Sequence, residues 1–252
     1  MVSAAWRAFE AELARWRDAG REVDFWWRDD DAAAPSAAFE RLVGLARRSG
    51  VPLSLAVVPL GAEPAIFESL PGAVAALQHG GDHRNRAAVG AKKTEFPDAE
   101  DEATALERLG AGRARLAALA GAHFVPVLAP PWNRFPESRK ALLPGSGYRA
   151  ISQYGARDNA TPAPGLMQIN AHVDLVAWRG DGGFVGEAQA LRSALGHLLA
   201  KRDGSADRDE PTGWLTHHAR HDAAAWRFLE RLFETAARPG VRWLGAREVF
   251  HI

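Results

Sequence analysis

The chain has 252 residues, 47% of them apolar, enough to build a sizeable core in one large α/β domain or two smaller ones. Its 31 Lys and Arg balance 31 Asp and Glu, which argues against a general nucleic-acid or anionic-membrane binder, since both need a basic surplus. Cysteine is absent, which excludes disulfides, thiolate catalysis and Cys-ligated zinc and leaves His and carboxylates as the strong metal ligands.

Residues 3–19 place Trp6, Phe9, Leu13 and Trp16 three or four apart, on one face of a helix. Glu10, Glu12, Arg15 and Arg17 break any signal-peptide-like apolar stretch, and no apolar run reaches the roughly 20 residues that cross a bilayer. The expected location is cytoplasmic. Residues 22–28 (EVDFWWR) read as a strand that ends in Asp29-Asp30-Asp31. Pro35 and Ser36 open a helix running to about Arg48, closed by Gly50. Residues 51–59 form a near-continuous apolar strand, as in a parallel sheet covered on both faces.

A short helix is expected at 64–69, and 73–78 leads directly into His79. Residues 80–98 lack apolar periodicity and read as a long loop, a length usually reserved for function. A helix over 99–120 precedes a strand at 123–128 that stops at Pro130-Pro131. Further strands are expected at 148–152, 167–170, 172–176 and 213–216, with helices near 186–202 and 222–237. This alternation predicts an α/β fold with a mostly parallel sheet, forming a single domain over 1–252 with the first helix packed on it.

Four predicted strands end in polar or unusual residues: Asp29–Asp31, His79, Pro130–Asn133 and His217-His218. In α/β barrels the site gathers at such C-terminal strand ends. Three adjacent carboxylates repel one another unless a cation or arginine offsets them. Taken alone they read as a cap or turn, but they come directly after the apolar Phe25-Trp26-Trp27, with Arg28 beside them. His79 and His83 are four apart and can share a metal, while Gly80-Gly81 between them reads as a close approach of backbone to a site. Two imidazoles and one carboxylate form a facial set that leaves positions open for water and substrate. A neighbouring carboxylate can then take a proton from water and a further histidine can protonate a leaving amine. His217-His218 is the source of that acid, against the alternative of a solvated cluster before a helix.

In order, the stretches WRDDDA (27–32), HGGDHRN (79–85), LAPPWNR (128–134), HVDLVAW (172–178) and WLTHHARHD (214–222) resemble the five motifs of the polysaccharide deacetylases, the NodB-homology or carbohydrate esterase family 4 group. The resemblance implies a distorted or incomplete (β/α) barrel of about seven strands. It implies Asp30 as general base and Asp31, His79 and His83 as ligands of a divalent metal, with the offset pair Asp29 and Asp30 as the alternative register. Zinc comes first among the metals, with cobalt, nickel or manganese able to use the same ligands. His217 is implied as the general acid, or His218 if counted from Leu215, with Asp174 tuning it. The backbone N–H of Trp132 is implied as the oxyanion donor. Pro131, Asn133, Arg28 and His218 are implied around substrate and oxyanion, and Trp178 and Trp214 as pocket walls.

One departure concerns an arginine that in the family precedes the prolines and pairs with the catalytic Asp. Here Ala129 stands in its place, and Arg28 or Arg134 is expected to substitute. Without a secretion signal, the expected substrate is a small saccharide or acylated small molecule. Nucleic-acid and membrane partners are not expected, and the oligomeric state is left open. Two other readings keep the fold: a hydrolase of non-sugar linear or cyclic amides, and a non-catalytic saccharide-binding relative. Arg84, Arg86, Lys92 and Lys93 hint at an anionic group on the substrate, against a solvated loop. Of nine tryptophans, five (Trp26, Trp27, Trp132, Trp178, Trp214) lie in or beside the motifs, and a mixture of core filling and ligand contact is expected, with Trp132 nearest the ligand.

Overall fold

The structure is a computed structural model that describes residues 3–252. Helix α1 (Ala4–Asp18) is capped by the Ser3 hydroxyl and buries Trp6, Phe9, Leu13 and Trp16, the stripe the spacing predicts. It lies along α4 (Glu187–Asp203), where Ser3 Oγ donates to Glu187 at 2.7 Å and Arg202 Nε donates to the buried Glu12 at 2.8 Å. Helix α2 (Ala37–Ser49) starts on the Ser36 cap and stops at Gly50, which is left-handed at φ 70°. Helix α3 (Glu102–Ala120) begins three residues later than predicted, because the Asp101 carboxylate accepts the Thr104 N–H and fixes the cap there.

Strand β1 (Val23–Ala32) is the axis of the sheet. On one side it pairs with β8 (Thr212–Thr216); on the other its first half pairs with β9 (Val241–Leu244) and its second half with β2 (Leu53–Val57). The sheet continues through β3 (Val74–Gln78), β4 (Phe124–Leu128), β5 (Ala150–Ile151) and β6 (Met167–Gln168), and β7 (Ala171–Asp174) flanks β8. All of these pairings are parallel. β6 and β7 end the main path, and a single bridge between Tyr154 and Ala171 spans from beyond β5 to β7. The sheet thus curls into an incomplete parallel (β/α) barrel, the architecture expected. Helix α5 (Ala223–Phe233) packs Trp226, Phe228 and Leu229 into the core.

Among the described residues the sheet has nine strands, where about seven were expected, several of them very short. The strands expected at 148–152 and 167–170 shrink to two residues each, and the helices expected at 64–69 and beyond 233 are 3-10 turns (Pro64–Phe67 and Glu234–Ala237). β9 and the final helix α6 (Ala246–Val249) have no sequence forecast. β9 is a four-residue strand formed by long-range pairing with Val23–Trp26, which no local periodicity reports. Among the described residues no helix is long and apolar enough to cross a membrane.

Trp214 does not wall the pocket. It is 0% exposed and sits in the helix-facing core, edge-on to Phe9 at 6.2 Å and Phe25 at 5.9 Å, with Trp243 at 6.4 Å. Replacing so large a buried ring leaves a cavity that neighbours fill poorly. Trp214→Ala is therefore expected to cost about 3–5 kcal/mol in denaturant unfolding, and a cost under about 1 kcal/mol contradicts this placement.

Candidate active site

The three carboxylates at the end of β1 diverge to three different partners. Asp29, fully buried, accepts from Thr216 Oγ1 at 2.6 Å and from the His218 backbone N–H at 3.0 Å, and pairs with His218 Nδ1 at 2.5 Å. Burial pushes the Asp29 pKa up, but the His218 charge and hydrogen bond outweigh it and leave the carboxyl below its ordinary range. Burial acts against the charged His218 ring too, and Asp29 reverses that and raises its pKa. Asp30 meets Arg28 in a two-point ion pair, Nε–Oδ1 at 2.8 Å and Nη2–Oδ2 at 3.0 Å. Arg28 is itself fully buried and is held by Ser152 Oγ at 2.7 Å, the Ser152 carbonyl at 3.0 Å and Asn133 Oδ1 at 2.5 Å. Asp31 turns away because the β1–β2 register slips between Asp29 and Ala32 and its own backbone is left-handed at φ 70°.

His79 sits at the end of β3 with its ring fixed in one orientation. Its Nδ1 lies 2.8 Å from the Ala129 carbonyl, an acceptor that places the ring proton on Nδ1 and leaves Nε2 as the free donor atom. Nε2 of His79 and Nε2 of His83 each lie 3.2 Å from Asp31 Oδ1. The three ligand atoms all fall within 4.8 Å of one another, so one ion can span them. Burial raises the Asp31 pKa, but the His79 hydrogen bond and the surrounding imidazoles hold the carboxyl far below its usual range. Burial depresses His83, reinforced by His79, with Asp31 opposing.

The backbone between the two histidines is held by a buried glutamate. Glu95 accepts the N–H groups of Gly81, Asp82 and His83, at 2.8, 3.3 and 3.1 Å, and pairs with Arg108 at 3.1 Å. Gly80 has φ 63°, and a Cβ there would meet Glu95 Oε2 at 2.1 Å and Pro131 at 2.7 Å. The glycine pair is thus an approach of backbone to Glu95 and Pro131, not to a ligand. Five described non-glycine residues have positive φ, and four of them are Asp31, His83, Trp132 and Asn133. Such conformations cost about 1–3 kcal/mol each, and they concentrate where the side chains converge.

These groups line a cleft of about 900 Å³ at the C-terminal ends of the strands. Its lining includes Asp30, Asp31, His79, His83, Trp132 and Asn133, together with Asp174, Trp178 and His217. Trp132 stacks obliquely on His83 at 4.5 Å, and the half-exposed Trp178 meets His217 edge-on at 4.9 Å. Asp174 accepts from Trp178 Nε1 at 2.7 Å and from the Val176 N–H at 2.9 Å. Burial raises its pKa, with His217 pulling the other way.

Asp30, Asp31, His79, His83, Trp132, Asn133, Asp174, Trp178 and His217 therefore meet in one cleft. Arg28 lies beneath it against Asp30, while Arg134 on the rim donates to the Lys93 carbonyl at 2.6 Å. His218 is not a substrate contact, because Asp29 draws it into the core. Pro131 is buried over Gly80 rather than lining the cleft. Glu95, Arg108, Ser152 and the lining residue Tyr154 have no sequence signal, since each acts through a contact distant along the chain.

His172, two residues before Asp174, also lies elsewhere: the β7–β8 register shifts between Ala171 and Val173, and the ring packs near Glu210. It stacks on His197 with centroids 3.5 Å apart. Their ligand-type atoms and those of Glu210 cluster within 4.8 Å, but His172 Nδ1 accepts the Gly213 N–H at 3.0 Å. The neutral ring then carries its proton on Nε2, facing Glu210 Oε2 at 3.2 Å, and offers no lone pair to a metal. Burial, aided by His172 and Lys201, pushes the His197 pKa down to about 2. The unfolded chain takes this proton near pH 6.5 and the folded chain does not, so stability falls as pH drops below that value. The slope from one such group is about 1.4 kcal/mol per pH unit, about 2 kcal/mol between pH 6.5 and 5. His197→Gln is expected to flatten the pH dependence of the unfolding midpoint by that amount; identical slopes contradict it.

Fold and site together define an incomplete parallel (β/α) barrel with an Asp-His-His cluster at the C-terminal edge of its sheet. No protein-family model matches the sequence, and no curated protein is similar to it by sequence. Solved structures with the same fold include a protein from Mycobacterium smegmatis that is a polysaccharide deacetylase by assignment only, at 18% identity and TM-score 0.63, covering 92% of this chain and 90% of that one. The peptidoglycan N-acetylglucosamine deacetylase Bc1960 matches at 14% identity and TM-score 0.60, covering 91% and 89%. A family 4 acetyl xylan esterase from Clostridium thermocellum, in complex with a cobalt ion, matches at 11% identity and TM-score 0.51, covering 90% of each chain. The chain shares the fold of the polysaccharide deacetylases and family 4 carbohydrate esterases.

Proposed function

We propose that the chain is a metal-dependent hydrolase that removes the N-acetyl group from an acetamido sugar or a related saccharide. The observation that carries this reading is the placement of Asp31, His79 and His83 around one point, with the arginine-held Asp30 beside them and His217 in the same cleft. Two imidazoles and one carboxylate suit zinc, and cobalt, nickel or manganese can use the same set. Bound there, the ion would supply Lewis-acid polarisation of the acyl carbonyl and acidify water.

The chain's own groups do the rest. Asp30 takes the proton from the attacking water, and Arg28 holds its carboxylate in one orientation. The Trp132 backbone N–H, turned by its left-handed φ of 56°, is the donor for the developing oxyanion. His217 protonates the departing amine. Asp174 lines the same cleft and accepts from Trp178 Nε1, whose ring meets the His217 ring edge-on. Trp132 and Trp178 offer apolar faces for a sugar ring.

The relatives in fold include both an N-deacetylase and an acetyl ester hydrolase, so the acyl bond is what a substrate panel must decide. Zinc-loaded protein is tested on N,N′-diacetylchitobiose, acetylated xylan and a cyclic amide. Acetate release from the chitobiose, lost in Asp30→Asn, is expected. Release only from xylan converts the assignment to an esterase, and turnover only of the cyclic amide overturns the saccharide reading. Binding of the sugar without turnover of any of the three leaves a binding protein.

A further inference from the structure

The cleft is ringed by positive charge that the chain leaves unpaired. Lys93, Arg134, Arg179 and Arg220 all line it, and they come from four separate loops at the C-terminal ends of the strands. Elsewhere some arginines pair with carboxylates, such as Arg86 with Asp82, Arg108 with Glu95 and Glu100, and Arg157 with Asp207. Others, such as Arg47, Arg115, Arg139 and Arg247, donate to backbone carbonyls. What sets the four apart is that they converge on one concave site. No carboxylate of the described residues lies within ion-pair distance of Lys93, Arg134, Arg179 or Arg220; Arg134 reaches only a backbone carbonyl. The only acids in the lining are Asp30, Asp31 and Asp174. Asp30 is already neutralised by Arg28, Asp31 faces two imidazoles, and burial disfavours charge on Asp174.

The loop at 84–98 contributes less to this than its composition implies. Arg84 and Arg86 both turn to Asp82, and only Lys93 of its four cations reaches the cleft. The surplus is instead assembled by loops from across the barrel, on a chain whose overall charge is zero. A concave site with one sign of charge focuses the field and concentrates ligands of the opposite sign.

We propose that the substrate carries an anionic substituent, a carboxylate or a phosphate, which Arg179, Arg220 and Lys93 bind at the rim while the acetamido group reaches Asp31 and the histidines. This inference rests on the deacetylase reading for the second half of that statement, and on the charge distribution alone for the first. The neutral sugar is then the poor member of a series whose anionic members differ from it only outside the reacting bond.

The test compares N,N′-diacetylchitobiose with its C6-carboxylate and its 6-phosphate. Acetate release gives kcat/KM for each, and calorimetry gives Kd for each on the same zinc-loaded protein. At low salt at least one anionic sugar is expected to exceed the neutral one at least tenfold in kcat/KM and in affinity. The ratio should shrink toward one in 0.5 M salt, where charge is screened. It should also shrink in the Arg179→Gln/Arg220→Gln double variant. The better of the two anions identifies the group. Equal rates and equal affinities for all three sugars overturn the proposal and leave deacetylation intact. Tighter binding of an anionic sugar without acetate release from any of them upholds the anion site and overturns deacetylation.

Discussion

Arg28→Met is expected to lower kcat/KM by about 10²–10³-fold and to move the acid limb of its pH profile upward, although Arg28 lines no part of the cleft surface. The guanidinium is wholly buried and makes the two-point pair with Asp30 while also spanning Ser152 and Asn133. Methionine fills much of the volume but leaves the Asp30 carboxylate in the core without its counter-ion. Breaking one side of a buried pair costs about 3–5 kcal/mol, and an unpaired buried carboxylate takes up a proton instead. A base that is protonated at neutral pH cannot accept the proton of water, so activity should recover as pH rises. Arg28→Lys is expected to restore charge but not the planar fork that holds Asp30, Ser152 and Asn133 together, and therefore to recover the pH profile more than the rate. If Arg28→Met leaves both turnover and its pH profile as they are in the parent, Asp30 is not the base that this pair prepares.

Asp31→Asn and His79→Gln are expected to abolish metal binding and, with it, at least about 10³-fold of the rate. Asparagine tolerates the left-handed backbone at position 31, so the loss can be assigned to the carboxylate rather than to a refolded turn. A ligand that binds only the folded chain stabilises it, by about 2.7 kcal/mol at a concentration one hundred times Kd. Zinc should therefore raise the unfolding free energy of the parent and leave both variants unmoved. His79 holds its proton to higher pH than a free imidazole, since Asp30 and Asp31 outweigh the effect of burial. Metal must displace that proton, so the zinc-induced stabilisation should weaken as pH is lowered from 8 to 6. A zinc effect of equal size in the variants would place the ion elsewhere.

Much of the site is legible in the sequence because its groups sit at strand ends that local patterning exposes. The apolar run before Asp29 and the one before His79 each mark a strand, and the barrel geometry then gathers the polar residues at the ends of those strands. The sequence leaves open which neighbour in a run faces which way. Asp29, Asp30 and Asp31 are chemically alike, and a register slip at the end of β1 separates them into a core pair with His218, an ion pair with Arg28 and a partner for two imidazoles. The same holds for His217 and His218, which part into the cleft and the core. Trp178 and Trp214 resemble each other as pocket candidates, yet one is half exposed and the other wholly enclosed by Phe9, Phe25 and Trp243. Glu95 is illegible for a different reason: its role depends on three backbone N–H groups more than ten residues away, a contact made only once the loop has closed.

In the proposed reaction, one metal ion at Asp31, His79 and His83 is required to free acetate from an acetamido sugar. The direct measurement is the rate of acetate release from N,N′-diacetylchitobiose as zinc is added stepwise to chelator-stripped protein. The rate should rise in proportion to zinc and level off at one ion per chain, with no activity in Asp31→Asn at any addition. Full activity in the stripped protein, or an undiminished rate in Asp31→Asn, would contradict it.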